Sequence, residues 1–310
     1  YGMAGVTFHW YQQPCEARAT LHRDGSVIVS SAAADIGNGT YTVMAQVAAD
    51  VLGLPLDRVR FDLGDSDMPS SPQAGGSGLT VSLGPAVSAV CEELVQSLLQ
   101  LACEDVDSPL HGYCRREEIA VGDGRLYRID DPMQGETYVD IVARPDLPEL
   151  TVEATAVPAQ PMAQGLWPAG AFAAQFVEVR VDPDLGLVRV ARVVSAIDGG
   201  RILNEKLARS QIIGSVVGGI GMALLEETVR DTGNGRIANA TFGDYLIPVN
   251  ADVPDLDVIF VGEPDPVNAI GVKGVGEVGL VGIAAAIANA VYHATGTRVR
   301  DLPIVIERLL

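Results

Sequence analysis

The sequence predicts an α+β protein of two related lobes, each with a β-hairpin or mixed sheet packed on helices, with a ligand between the lobes. The chain has 310 residues, of which 48% are hydrophobic and 20% charged, so it can bury a sizeable core. The order hairpin, Asp-x-Gly, helix, strand also occurs twice along the chain. We predict a first lobe over residues 1–130, a long irregular connection over 131–170, and a second lobe over 171–310.

Alternating residues on both sides of a turn, and apolar residues at helical spacing, define the first lobe. Gly53 is typical of a helix end, and Thr40 is a candidate N-cap. The predicted elements are, in order, strands 17–22 and 26–31, a helix marked by apolar residues between 44 and 52, a strand 58–63, an amphipathic helix around 87–101 and a short hairpin around 122–124.

The second lobe repeats this plan. Its predicted elements are strands 176–181 and 187–195, a helix 207–227, a strand 256–261 and a buried helix 283–291. The helix over 207–227 carries mostly small residues, which permit close backbone contact with a neighbouring element.

The charge balance narrows the possible partners. Forty acidic against 21 basic residues give a net charge of −19, which repels phosphate backbones and anionic membranes. We therefore expect no nucleic acid and no membrane partner, and a neutral or weakly polar substrate. The longest uncharged helical run, 211–225, is shorter than the roughly 20 residues that span a bilayer, so we interpret it as a core helix.

The cysteines and histidines show no metal-binding pattern. The four cysteines form no CxxC pair, so we interpret them as free thiols in a reducing setting. These thiols and the lack of a charged leader favour the cytoplasm, with periplasmic export on a partner's signal as the alternative. The four histidines stand far apart, so a metal would have to arrive on a cofactor.

One carboxylate, Glu277, lies in the glycine-rich and almost wholly apolar run 271–282. Two interpretations are open. Glu277 can be a helix cap, because free backbone N–H groups favour a negative charge there. It can also be a chemical group, because apolar surroundings prepare a carboxylate to act as a general base.

Three glycine-rich turns, at 37–39, 75–78 and 274–279, are either three backbone walls of one site or three ordinary turns. The last matches the dinucleotide pattern G-x-G-x-x-G, but too few residues follow for further βα units. A serine hydrolase elbow fails because Leu79 stands where a glycine is required.

Several motifs in a fixed order carry a resemblance over nearly the whole chain. They are Asp35-Ile36-Gly37-Asn38-Gly39-Thr40, Gly75-Gly76-Ser77-Gly78 before Gly84-Pro85-Ala86-Val87, Gln211-x-x-Gly214, Phe242-x-x-Tyr245-x-x-Pro248 and Gly271-x-Lys273-Gly274-x-Gly276-Glu277. The chain resembles the C-terminal molybdopterin-binding domain of the xanthine dehydrogenase and aldehyde oxidase family. Within that family it is most similar to bacterial aldehyde oxidoreductase subunits.

The resemblance implies a molybdenum-dependent oxidoreductase. The implied cofactor is molybdopterin, as the cytosine dinucleotide, bound between the lobes, with molybdenum held by the pterin dithiolene and not by protein ligands. In the implied reaction Glu277 takes a proton from Mo–OH, the oxygen attacks an sp² carbon, and hydride passes to Mo=S. Aldehydes would become carboxylic acids, or N-heterocycles would be hydroxylated. Electrons would leave through iron–sulfur clusters and FAD on partner polypeptides.

The resemblance also assigns residues to the cofactor. The implied contacts come from Gly37, Asn38 and Gly39, from Gly75, Gly76, Ser77 and Gly78, from Gln211, and from Lys273, Gly274, Val275 and Gly276. Asn38 and Gly78 depart from the Gln and Arg that are frequent in the family. We expect Glu277 itself to be nearly buried.

Two alternatives remain from other classes. One is a noncatalytic scaffold or assembly domain of such a complex, with Glu277 as a structural cap. The other is a nicotinamide-binding dehydrogenase, which a nucleotide titration of the chain would reveal.

Family members carry a preceding molybdopterin-binding domain, and nothing in residues 1–310 resembles it. We therefore predict that the isolated chain folds but turns over little substrate, because part of the site is missing. The measurement is aldehyde oxidation by the purified chain with an added electron acceptor. Robust turnover by the chain alone would contradict this prediction.

Overall fold

The computed structural model describes residues 1–159 and 169–309, which form two compact units. The first, here called the Glu277 unit, contains Tyr1–Trp10, the chain from residue 169 to Asp265, and the residues from Lys273 onward. The second, here called the glycine-loop unit, contains the chain from Tyr11 to residue 159 and the segment Pro266–Val272.

The glycine-loop unit is built on a four-stranded mixed sheet in the order β4-β3-β2-β8. Strand β2 is antiparallel to both β3 and β8, whereas β3 and β4 are parallel. A parallel pair needs a crossover, and helix α1 supplies it. The bounds are β2 Cys15–His22, β3 Val27–Ser30, α1 Thr40–Leu52, β4 Val59–Asp62 and β8 Glu149–Ala156.

Helix α2, Leu79–Glu104, packs against α1, β2 and β8 and supplies much of this unit's core. Its buried side chains recur at helical spacing and include Leu83, Val87, Val90, Leu94 and Leu98. A small antiparallel sheet and a short helix follow it, with bounds β5 Ile119–Gly122, β6 Arg125–Arg128, β7 Gly135–Thr137 and α3 Tyr138–Ala143.

The Glu277 unit has a second four-stranded mixed sheet, in the order β1-β9-β10-β11. Strand β9 is antiparallel to β1 and β10, and β10 is parallel to β11. The bounds are β1 Gly2–His9, β9 Gly170–Val181, β10 Val188–Asp198, α4 Glu205–Leu224, β11 Asp255–Val261, α5 Val278–Val281 and α6 Ile283–Thr295.

The two sheets have the same topology, which confirms the α+β class and the predicted repeat. In each unit a hairpin leads into a helix, and the helix leads into a strand parallel to the second hairpin strand. In each, an antiparallel outer strand pairs with the first hairpin strand.

The structure corrects the predicted connection over 131–170. This segment contains β7, α3 and β8, so the prediction of an irregular segment is wrong, and residues 160–168 lie outside the described residues. Strand β8 alternates strictly between polar and apolar residues, so the sequence carried the signal for a strand and the prediction overlooked it. The lobe boundaries 1–130 and 171–310 stay a prediction, although the contacts group Tyr1–Trp10 with the second half of the chain.

Helix lengths and the thiols also need correction. Helix α4 has 20 residues, so the length argument drawn from 211–225 is wrong. By length and composition alone, the stretches Leu79–Glu104, Glu205–Leu224 and Val278–Thr295 could each cross a membrane.

Cys103 and Cys114 form a disulfide, with Cα atoms 5.3 Å apart, so the prediction of four free thiols is wrong for this pair. Sequence spacing does not reveal that the chain turns back after α2.

The two remaining cysteines, Cys15 and Cys91, are buried thiols. Burial raises the pKa of Cys91 to about 12, so its reactive thiolate form is scarce at neutral pH.

We predict that thiol titration of the denatured, unreduced chain finds two thiols, and that reduction raises the number to four. In the native chain Cys91 should not react, because it is both protonated and shielded. A Cys103→Ser, Cys114→Ser double variant is the control and should give two thiols with or without reductant. Four thiols in the unreduced wild type would contradict the disulfide.

Candidate active site

The run that precedes Glu277 is anchored to the end of β10. The Lys273 backbone N–H donates to the Gly199 carbonyl at 3.1 Å, and the Lys273 ammonium pairs with Asp198 at 2.7 Å. Gly199 is required here, because a Cβ would lie 2.6 Å from a Val275 methyl group. The Lys273 ammonium thus anchors the run to Asp198. The cofactor contact predicted for Lys273 would therefore be made by its backbone.

Helix α4 holds the same turn from another side. The Ser215 hydroxyl donates to the Gly276 carbonyl at 2.7 Å. A Cβ on Gly279 would lie 2.9 Å from Ser215 Cβ and 3.3 Å from Ile212 Cα, so the two backbones are in close contact. Gln211 lies one helical turn before Ser215 and shares its face of α4. Within the Glu277 unit, the structure therefore brings Gln211 to the helix face that contacts the turn.

Glu277 occupies the N-cap position of α5, but its side chain makes no capping hydrogen bond. The residue is exposed, so the prediction that it is nearly buried is wrong. The apolar residues that follow it in sequence, such as Val278, face the interior of the unit, and the turn directs Glu277 the other way. The Glu277 side chain thus makes no capping hydrogen bond to α5, and its chemical role stays a prediction.

The turn at 37–39 is organised by Asp35, a residue that the sequence motif contained but to which no role was given. The Asp35 carboxylate accepts hydrogen bonds from the N–H groups of Gly37, at 2.8 Å, and of Gly39, at 3.3 Å. Partial burial acts to raise the pKa of Asp35, but these backbone hydrogen bonds outweigh it and hold the pKa below its usual value. Gly39, not Thr40, is the N-cap of α1 and has a left-handed conformation, with φ 81°.

The turn at 75–78 presents bare backbone at the start of α2. Gly76 and Ser77 both have positive φ, at 58° and 53°. A Cβ on Gly76, or on Gly37 in the other turn, would meet no atom within 4 Å. Both glycines are exposed, so a planar ligand could approach their backbone without a side chain in the way. These residues fit a large organic cofactor.

Gly78 differs from its neighbours because it is buried and confined. A Cβ there would lie 2.7 Å from the Tyr11 carbonyl oxygen. The Ser82 hydroxyl donates to the Gly78 carbonyl at 2.8 Å and accepts from the Gln13 N–H at 3.0 Å, which fixes the chain on both sides. This explains why position 78 has to be glycine on the backbone path of this chain.

The segment before Lys273 is docked on α2 by Asn268, which the sequence analysis missed. Pro85 lies inside α2 and has no N–H, so it cannot donate to the Val81 carbonyl four residues earlier. The Asn268 amide donates to that carbonyl at 3.0 Å. Gly84 leaves space for the Ile270 side chain, since a Cβ on Gly84 would lie 2.4 Å from Ile270 Cδ1. The predicted helix, around 87–101, began after Pro85, so nothing in the sequence pattern indicated a carbonyl left without its helical donor.

The predicted residues are divided between the units. Gly37, Asn38, Gly39 and Gly75–Gly78 belong to the glycine-loop unit, whereas Gln211 and Lys273–Glu277 belong to the Glu277 unit. Their convergence on one ligand stays a prediction. Among residues 1–159 and 169–309, no group of three or more His, Cys, Asp or Glu side chains is placed to hold a metal ion. The residues that shape these turns but were missed or given no role are Asp35, Asp198, Gln175, Ser215 and Asn268.

Comparison with known proteins shows the family of the chain that carries these turns. The profile described as a molybdopterin cofactor-binding domain matches residues 1–254. The aldehyde oxidoreductase molybdenum-binding subunit of Escherichia coli is 38% identical over 95% of the chain, and a putative xanthine dehydrogenase molybdenum-binding subunit of the same species is 31% identical over 94%. The chain spans 38% of the length of each of these relatives.

Solved structures give the same result. Quinoline 2-oxidoreductase from Pseudomonas putida matches with a TM-score of 0.87 and 25% identity, over 99% of this chain and 41% of that one. The aldehyde oxidoreductase from Desulfovibrio gigas matches with a TM-score of 0.76 and 26% identity, over 100% of this chain and 32% of that one.

We predict that Gly279→Ala lowers the free energy of unfolding by about 1–3 kcal/mol, because its Cβ would collide with the α4 backbone. Gly214→Ala is the matched control on α4. Its Cβ would meet nothing within 4 Å, so it should stabilise the chain by roughly 0.5–1 kcal/mol through helix propensity. Denaturant unfolding measures both. Equal effects of the two substitutions would contradict the proposed close packing.

Proposed function

Because the chain belongs to the molybdopterin cofactor-binding domain family, we propose that it forms part of a molybdenum hydroxylase that oxidises aldehydes to carboxylic acids. The observation that carries the proposal is the pairing of 38% identity to an aldehyde oxidoreductase subunit with an exposed Glu277 that is not used as a cap. The electron balance is simple: aldehyde and water give the carboxylic acid, two electrons and two protons.

The cofactor would be molybdopterin, proposed here as its cytosine dinucleotide. The turns 37–39 and 75–78 would present backbone to it, Gln211 would hydrogen-bond it, and the run Lys273–Gly276 would line it. When bound, the cofactor supplies a redox-active molybdenum that accepts the two substrate electrons. The protein would contribute position and proton transfer, because the described residues offer no metal ligand cluster.

Glu277 would act as the general base that accepts the proton of the attacking oxygen. A base must be ionised and within reach of the proton it removes. Its position is fixed by backbone contacts on both sides, through Lys273 and Gly276 before it and Gly279 after it. This anchoring keeps the carboxylate aligned without a hydrogen bond to the helix that it precedes.

The remaining parts of such an enzyme are also proposed. They are a preceding molybdopterin-binding domain, an iron–sulfur subunit and an FAD subunit. The net charge of −19 favours a neutral aldehyde or heterocycle over an anion. Cytoplasmic location remains a proposal, with export on a partner's signal as the alternative. The disulfide removes the argument that was based on four free thiols.

Hydroxylation of an N-heterocycle is the second candidate. It is favoured by the TM-score of 0.87 to quinoline 2-oxidoreductase and by the 31% identity to a xanthine dehydrogenase subunit. The general-base role of Glu277 would be the same, because both reactions transfer oxygen to an sp² carbon. Rates with aldehydes and with quinoline, measured on one preparation, separate the two candidates.

We predict that Glu277→Gln in the complete enzyme lowers the aldehyde oxidation rate by roughly 100- to 10,000-fold with molybdenum content retained, because the amide cannot accept the proton. Glu307→Gln, an exposed carboxylate in the same unit, is the matched control and should leave the rate unchanged. An undiminished rate in Glu277→Gln would instead support the scaffold alternative.

A further inference from the structure

We propose that Gln175 is a positioning residue that holds Glu277 in register for catalysis. This inference rests on the proposed function and extends it to a residue outside the glycine-rich motifs. Gln175 lies in the middle of β9 and is completely buried. Its side-chain amide donates to the Gly279 carbonyl, two residues after Glu277.

Gln175 also contacts the far end of α5. A Cβ on Gly282 would lie 2.5 Å from the Gln175 side-chain oxygen and 2.3 Å from a Val6 methyl group. Gly282 therefore has to be glycine for α5 to approach the sheet this closely. The Gln175 amide thus spans the whole of the short helix that begins directly after Glu277.

Gln175 carries a desolvation cost that an apolar residue at the same position would not. The buried face of β9 is otherwise apolar, with Ala171 and Val177 on the same side. A buried amide has to be desolvated, and among the described residues the Gln175 oxygen finds no hydrogen-bond partner. A methionine would fill similar space without this cost. In the described part of the chain, the hydrogen bond that the Gln175 side chain does make is directed at the turn that carries the proposed base.

Gln175 completes a set of three anchors around Glu277. The ion pair of Lys273 with Asp198 and the hydrogen bond from Ser215 to Gly276 fix the chain before Glu277. Gln175 is the anchor after it. The turn is rich in glycine, which restrains the backbone poorly, so these contacts set the position of the carboxylate. A displacement of about 1 Å can reduce a rate by about 100-fold.

The test is a double-mutant cycle in the complete molybdenum enzyme. We expect Gln175→Met to lower kcat for aldehyde oxidation by about 10- to 100-fold, with a smaller change in KM and with molybdenum content retained. In a Glu277→Gln background the same substitution should have almost no further effect on kcat, because there is no longer a base to position. A merely structural role would reduce kcat by the same factor in both backgrounds.

A readout independent of activity is peptide-resolved amide hydrogen exchange over residues 276–283. Exchange there should become faster in Gln175→Met. Ser195→Ala is the matched control: Ser195 is also fully buried, is the cross-strand neighbour of Gln175 on β10, and its hydroxyl makes no hydrogen bond in the described residues. It should change neither kcat nor the exchange of the turn.

Gln175→Asn covers the case in which the methionine variant does not fold. It keeps a polar amide but shortens its reach, so the donor should no longer meet the Gly279 carbonyl and the loss of kcat should recur. Wild-type kcat in either folded variant, or unchanged exchange over the turn, would overturn the proposal. If Glu277→Gln itself retains full activity, the general-base assignment fails, and that result is distinct from failure of Gln175 alone.

Discussion

The Glu277 turn depends on a close approach between its backbone and helix α4. Gly279 faces Ile212 and Ser215, and Gly219 on α4 faces Ile283, at distances that leave no room for a Cβ. Where two elements meet through glycines, the main chains are in direct contact and fewer side chains pack between them. The turn that carries Glu277 is rigid as a result, because its position is set by the helix and the sheet and not by a flexible loop.

Two buried side-chain amides act on main-chain carbonyls in a similar way. Asn268 donates to a carbonyl that Pro85 leaves without a helical partner, and Gln175 donates to the carbonyl of Gly279. A buried carbonyl without a donor is costly, so an amide that reaches it stabilises one particular path of the chain. In each unit, a segment next to the predicted site residues is therefore fixed by a polar contact within an apolar core.

Local patterns in the sequence predicted a large part of the fold. The hairpins, α1 with its end at Gly53, α4 and the repeated order of elements follow from periodicity and turn residues, which act over a few positions. Strand β1 was missed because its partner β9 is about 170 residues away, and long-range pairing leaves no local signal. The contact of Asn268 with α2 was missed for the same reason. The disulfide joins Cys103 to Cys114, only 11 positions away, and was missed because cysteine spacing does not show that the chain turns back after α2. The exposure of Glu277 was mispredicted because apolar sequence neighbours can face inward while the residue between them faces outward.

The confinement of Gly78 couples two segments of this chain. Any side chain at this position collides with the main chain at Tyr11, and no rotamer can relieve a clash that occurs at Cβ. A substitution at Gly78 is therefore accommodated only if the backbone moves, either at Tyr11 or at the start of α2. Loop redesign here has to treat the two segments as one unit.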